Sequence, residues 1–302
     1  MKTAVMVAGS LHYDIVVKAP HMPQLDETLQ GSAVDYVAGG RGGNQAVAAS
    51  RHGARTFLAG KVGDDAPGRF LVAHLEAAGC DLAELQQGRD VKTGMSVAIV
   101  DANGDSAAVV VPGANLDIDA ARIAIPPEVG MVVLQNELPE SVNLALAERA
   151  RSGGLKVVLN AAPARDMAAA MLAATDLLIV SRAEAGMMTG MPVANTQEMR
   201  DVARSLSHLV PEVVITLGAE GVMHCVKGGQ PVVEPAFKAV PVSSHGAGDV
   251  FAGALVAQLA QGSEMDAAIH YAQAAAALHV STPADKRHLI RPMQVRNKLG
   301  ED

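Results

Sequence analysis

Two glycine-rich stretches, each running into a helical pattern, hold residue types that could handle an anion and a proton. The later one, VSSHGAGDVFAGAL at 242–255, sets Gly246-Ala247-Gly248 immediately before Asp249 and an apolar run. Free amides at a helix start bind anions, and glycines leave those amides unshielded. A negative charge developing on a transferred phosphoryl group would be stabilised there. A carboxylate one residue further on repels a resting anion, yet it suits a base that takes a proton from an attacking hydroxyl. The helix N-terminus is expected to keep Asp249 ionised, and so a weak base. Phosphoryl transfer tolerates this, because its loose transition state needs little early deprotonation. The bland alternative is a tight loop that only lets the helix pack close to a sheet.

The earlier stretch, AGGRGGNQAVAASRHGA at 38–54, places four glycines around Arg41 and puts Asn44 where a helix begins. Backbone of this kind can approach a ligand closely, and it can equally form an ordinary turn. It lacks the GxxxxGK[ST] of a P-loop. Its glycines do not directly follow the first strand, and no GxGxxG follows a strand with an acidic residue about twenty positions on, so a nicotinamide-dependent oxidoreductase is disfavoured.

The elements that must position these residues are legible as short apolar runs. AVMVAG (4–9), MVVLQ (131–135), KVVLN (156–160), DLLIV (176–180) and EVVITLG (212–218) each end in small or polar residues, and helical patterns follow them. Strands without polar alternation are buried on both faces, and their alternation with helices predicts a doubly wound, mostly parallel α/β core over about 115–282. The regions 11–38 and 91–112 instead alternate in hydropathy, with Asn103-Gly104 marking a hairpin turn. They predict a small antiparallel β sheet that could act as a lid over one end of the core, or an edge extension of the main sheet.

Composition bounds the function class. The chain has 302 residues, 49% hydrophobic and 19% charged, enough for a sizeable core. Aromatics make up 2% with no Trp, and the formal net charge is −8, so no nucleic acid and no anionic membrane is expected as partner. The apolar N-terminal run is broken by His12, Tyr13 and Asp14 and reads as a buried strand rather than a signal peptide. Cys80 and Cys225 fit no metal or redox spacing and suit a reducing compartment. A soluble, cytoplasmic protein is expected.

Taken together, GGRGGNQAVAASRHGA and GAGDVFAGAL, about 205 residues apart, resemble the two signature regions of the ribokinase-like (PfkB) carbohydrate kinases. The resemblance extends through GSLHYD near the start, GDDAPGRFLVAHLEAAG at 63–79, LNAAPAR at 159–165 and TLGAEG at 216–221, and so spans nearly the whole of 1–302 as a single kinase domain. It implies a kinase that transfers the γ-phosphoryl group of ATP, with Mg2+, to a hydroxyl of a small sugar. Asp249 then matches the base, and the amides of Gly246, Ala247 and Gly248 the anion hole. His12, Asp14, Gly40, Arg41, Asn44 and Glu137 match positions on the sugar. Ser181, Thr216, Gly218 and Gly221 match the nucleotide side, and Glu184 the magnesium shell, acting through water. The 11–38 and 91–112 strands match a lid over the sugar that commonly mediates homodimerisation.

Four departures stand out. Ser243-Ser244-His245 replaces the family's Asp-Thr-x; the missing carboxylate helps to hold a monovalent cation there, so weak or absent potassium activation is expected. Ser181 replaces an Asn, His12 replaces an Asn on the sugar, and Arg41 replaces a Lys to which it is not equivalent. His12 and Arg41 could favour a sugar with different hydroxyl geometry or with an anionic group. A nucleoside kinase of the same fold is the runner-up, although three Tyr and four Phe make an aromatic shelf for a base hard to build. A catalytically weak sugar or nucleotide sensor is the reading from another class. His245, His224, Cys225 and the methionines at 187, 188 and 191 read as structural, and Asp64 and Asp65 as caps of the helix starting near Pro67.

Overall fold

Strand β1 (Ala4–Ala8) is buried along its whole length, so both of its faces must be covered. A computed structural model of the chain, which describes residues 3–103 and 105–300, shows how. The strands that follow are β2 (His12–Lys18), β3 (Ala33–Gly39), β4 (Thr56–Gly63), β5 (Leu85–Gly88), β6 (Met95–Val100) and β7 (Ser106–Val111). The second half supplies β8 (Val129–Gln135), β9 (Lys156–Asn160), β10 (Leu177–Ser181), β11 (Glu212–Thr216), β12 (Val222–Val226) and β13 (Val232–Glu234). The helices are α1 (Arg41–Arg51), α2 (Ala66–Ala77), α3 (Glu140–Ser152), α4 (Ala169–Ala174), α5 (Arg182–Thr189), α6 (Thr196–Leu209), α7 (Ala247–Ala260), α8 (Met265–Ser281) and α9 (Pro292–Leu299).

The large sheet runs β13-β12-β11-β10-β9-β8-β1-β4-β5. It is parallel from β11 to β5, with β12 and β13 antiparallel at one edge. Residues of β1 alternate between two cores: Ala4, Met6 and Ala8 pack toward α3 and α6, while Val5 and Val7 pack toward α1, α7 and α8. The core is wider than the 115–282 stretch expected from the apolar runs, because β1, β4 and β5 also belong to it. In β4, TFLAGKVG, Gly60 and Lys61 interrupt the apolar run and hide the strand in sequence. Lys61 tolerates burial because its ammonium meets the Asp117 carboxylate at 2.6 Å.

The chain leaves β1 for β4 and β5, then returns to β8 on the other side of β1. Order therefore reverses between β1 and β8, and ligands of open α/β sheets bind outside the strand carboxyl ends at such a point. The residues leaving those ends are Ser10, Asn136-Glu137, Asn160 and Ser181, with Thr216 beyond.

The small sheet, ordered β3-β2-β6-β7, is separate from the large one. Its outer pairs are antiparallel, and a parallel β2–β6 seam joins them. Of the Asn103-Gly104 turn, Gly104 lies outside the described residues. Tyr13 stacks on Tyr36 and meets Phe70 of α2 edge-on, tying the small sheet to the helical layer.

Helices α1 and α7 cross at Gly253. A Cβ there would sit 2.4 Å from Ala48 Cβ and 2.6 Å from Gln45 O, with rigid helix on the other side. Gly253→Ala is therefore expected to force the helices apart and to cost about 1–3 kcal/mol, the usual scale for overpacking. Urea denaturation should show a lower midpoint; an unchanged midpoint would mean the crossing has slack.

Candidate active site

The close crossing lets two side chains of α1 reach a carboxylate on α7. Gly246, with φ 76°, caps α7, and Asp249 lies in the first turn, 5% exposed. Asn44 Nδ2 donates to Asp249 Oδ2 at 3.1 Å, and Gln45 Nε2 donates to Oδ1 at 3.0 Å. The Arg41 guanidinium stands 3.8 Å from Asp249 and 3.8 Å from Glu137, between the two carboxylates. Glu137 also accepts the Arg41 amide at 2.9 Å and the Ser10 hydroxyl.

Behind this lies a buried amide network. Gln45 Nε2 also donates to Asn160 Oδ1 at 2.9 Å, and Gln45 Oε1 accepts from Gln135 Nε2 at 2.9 Å. Asn160 donates onward to Ile179 O at 3.0 Å. The carboxyl ends of β8 and β9 thus hold the Gln45 amide group in one orientation, so that it must present a donor to Asp249.

Burial pushes the Asp249 carboxyl above the usual carboxylate range; Arg41, Gln45 and Asn44 pull the other way, and Glu137 adds to the rise. This corrects the expectation of a helix-stabilised, weakly basic carboxylate. Desolvation at this depth outweighs the pull of Arg41, Gln45 and Asn44, and the group is more basic than an exposed aspartate.

The small sheet brings in Asp14 and His12. Asp14 accepts from Ser96 Oγ at 2.6 Å, and its carboxyl is raised, chiefly by burial and also by nearby Glu137. His12 is buried at the start of β2, and Gly40 is the N-cap of α1. Asp14, His12, Gly40, Arg41, Asn44 and Glu137 therefore gather around one side of Asp249.

On the other side of the α7 N-terminus lies a cleft of about 820 Å³. Ser181, Thr216, Gly218, Gly221, Ala247 and Gly248 all line it. Val222, Phe237 and Phe251 supply apolar wall, as a flat heteroaromatic ligand requires. The Ala247 amide already donates to Ser244 O at 3.1 Å, which narrows the anion nest expected at Gly246 to Gly248. The amide of Gly248 has no intrahelical acceptor, as at any helix start.

Glu184 is not drawn to the carboxylates. Its side chain accepts the Ser181 amide at 2.7 Å while its own amide donates to Ser181 Oγ at 3.3 Å, a reciprocal cap of α5. Among the described residues, no three His, Cys, Asp or Glu side chains form a metal-holding group. His224 meets Glu212 at 2.8 Å across β11 and β12, and Asp65 caps α2 through Gly68 N. Sequence inspection missed Ser10, Gln45, Ser96, Gln135 and Asn160. Gln45 had one local signal, its place beside Asn44 in the first turn of α1; the others are joined to the site only by strand ends.

A family model described as "pfkB family carbohydrate kinase" matches residues 2–288. The chain is 35% identical over 280 residues to ribokinase of Bacillus subtilis, covering 91% of this chain and 92% of the relative. It is 30% identical over 284 residues to deoxyribokinase of Salmonella typhi, covering 92% of each. A solved structure of Arabidopsis thaliana ribokinase complexed with ribose and ATP superposes with a TM-score of 0.92 at 25% identity, covering 100% of both chains.

The raised Asp249 carboxyl can be observed directly. With 13C-labelled aspartate, the Asp249 signal should titrate above the ordinary carboxylate range. Gln45→Leu, which removes a donor that favours the anion, should move the midpoint higher still. A midpoint unmoved by the substitution would contradict the hydrogen-bond geometry.

Proposed function

The chain belongs to the pfkB family of carbohydrate kinases and is an ATP-dependent sugar kinase, and we propose that its acceptor is a small neutral sugar of the ribose class, with Asp249 as the base. The observation that carries this is the buried Asp249 carboxylate, gripped by Asn44 and Gln45 where the two sides of the site meet. Relatives named ribokinase and deoxyribokinase supply the sugar class. Arg41 favours a neutral sugar, because its charge is already shared between Glu137 and Asp249 and is not free for an anionic group.

The sugar lies among His12, Asp14, Gly40, Arg41, Asn44 and Glu137, where carboxylates and amides suit hydroxyl donors. ATP occupies the cleft lined by Ser181, Thr216, Gly218 and Gly221. Asp249 takes the proton of the attacking hydroxyl as the O–P bond forms, and its raised basicity brings it nearer the operating pH. The amides of Gly246 and Gly248 receive charge on the transferred phosphoryl oxygens, the Ala247 amide being taken by Ser244 O. A bound Mg2+ would supply neutralisation of phosphate charge. Glu184, whose carboxylate already accepts the Ser181 amide, would reach such an ion only through water. The small sheet closes over the sugar and excludes competing water.

The small sheet also offers a surface to a second copy. Val34 and Tyr36 on β3 and Val109 and Val111 on β7 are 48%, 55%, 69% and 55% exposed, more apolar surface than a lone edge should show. We assign a homodimer to this sheet and a cytoplasmic setting to the enzyme, where ATP and reduced thiols coexist.

A panel of sugars and nucleosides assayed for ADP release with ATP and Mg2+ tests the acceptor. Ribose or 2-deoxyribose should lead; faster turnover of a sugar acid or a nucleoside would overturn the neutral-sugar assignment. Asp249→Asn should lower kcat by about 10²–10⁴-fold, the range for losing a general base. Wild-type kcat should fall as pH drops through the raised Asp249 pKa and stay level above it. Light scattering should report a dimer, and Val109→Lys with Val111→Lys should yield monomers; an unchanged mass would place the interface elsewhere.

A further inference from the structure

The turn that feeds Gly246 is held by a cation belonging to the chain itself. Arg287, half-buried in the segment after α8, donates from all three of its nitrogens to backbone carbonyls. Nε reaches Thr282 O at 3.1 Å, one terminal nitrogen reaches His245 O at 3.1 Å, and the other reaches Ser243 O at 2.8 Å. His279 Nε2 lies 2.8 Å from the same His245 oxygen. Ser243 contributes its hydroxyl to the turn, accepting the His245 amide at 3.3 Å. The backbone amides of Val242 and Ser243 both donate to Val280 O, so the strip is also pinned to the end of α8.

Three carbonyl oxygens from two chain segments thus converge on one guanidinium. Among the described residues, no carboxylate lies within ion-pair distance of Arg287. Its positive charge is balanced only by carbonyl dipoles, so it remains available to an anion arriving at the adjacent α7 N-terminus. A guanidinium stays charged at any working pH, and its planar fork can engage several acceptors at once.

We infer that Arg287 is a positioning residue that serves as a tethered monovalent cation, holding the carbonyls of Ser243, His245 and Thr282 so that the amides of Gly246 and Gly248 face the transferred phosphate. The inference rests on the reading of those amides as the phosphoryl site. An ion drawn from solution has no place among these oxygens while the guanidinium fills it, so the kinase works at full rate without one.

The test pairs two readouts, ADP binding by calorimetry and sugar-dependent ADP release, each in potassium chloride and in choline chloride at equal ionic strength. Wild type should be the same in both salts. Arg287→Ala should lose about 10–100-fold in ADP affinity and in kcat, the scale of losing hydrogen bonds made by a charged group. The sugar KM should stay unchanged, and added guanidinium or potassium should restore part of the loss. Arg287→Gln, which keeps donors but not charge, should fall short of wild type while melting at a similar temperature. This second variant keeps the test readable if the alanine variant folds poorly.

Strong potassium stimulation of wild type, or an Arg287→Ala protein as active as wild type, would overturn the inference. So would a folded Arg287→Ala protein whose loss neither guanidinium nor potassium relieves. If no sugar in the panel supports ADP release, the kinase reading fails instead. The ADP-binding measurements still judge Arg287.

Discussion

The pair of hydrogen bonds from Asn44 and Gln45 to Asp249 is the contact on which the site depends, because it joins residues 205 and 204 positions apart at a buried carboxylate. It exists only because α1 and α7 approach closely at Gly253, where any side chain would strike Gln45 O and Ala48 Cβ. Small residues at the crossing therefore shape the candidate site as well as the packing. They set the distance at which an α1 amide can meet an α7 carboxylate.

Burying that carboxylate is costly, and the surrounding groups offset the cost without removing it. Asn44, Gln45 and Arg41 favour the charged form, yet desolvation prevails and Asp249 stays more basic than a surface aspartate. Gln45 can do this only because Gln135 and Asn160 hold its amide group in one orientation. The Asp249 carboxyl is thus tuned from the carboxyl ends of β8 and β9, beside the point where strand order reverses. Arg41 bridges Asp249 to Glu137, so that these two carboxylates share one guanidinium.

The α7 N-terminus works as a partition. The Asp249 side chain faces the polar cluster delivered partly by the small sheet, while Ala247 and Gly248 line the large cleft. Two reactants entering from opposite sides would meet at the first turn of one helix, where amide donors and a base are fixed relative to each other by helical geometry. The strip before that helix must be equally well held, and the carbonyl contacts of Arg287 and His279 do this with groups far along the chain.

Much of this was legible in the residues. The unalternating apolar runs fixed a parallel α/β class, because strands buried on both faces have no polar side. GAGD and GGRGGN marked a helix start with a first-turn carboxylate and a close backbone approach, because glycine and a first-turn carboxylate act over a few neighbouring residues. Other features escaped for equally physical reasons. Strand β4 was obscured by Lys61, whose partner Asp117 lies 56 positions away. The raised basicity of Asp249 depends on depth, which no local pattern records. The amide network of Gln45, Gln135 and Asn160 and the carbonyl cradle of Arg287 join segments that only strand order and helix crossing bring together. The sequence by itself determined which groups could hold an anion and move a proton, since those are properties of residue types at short spacing. Only the tertiary structure decided how basic the carboxylate is and what holds its neighbours in place, since desolvation and long-range contacts exist only once the chain is packed.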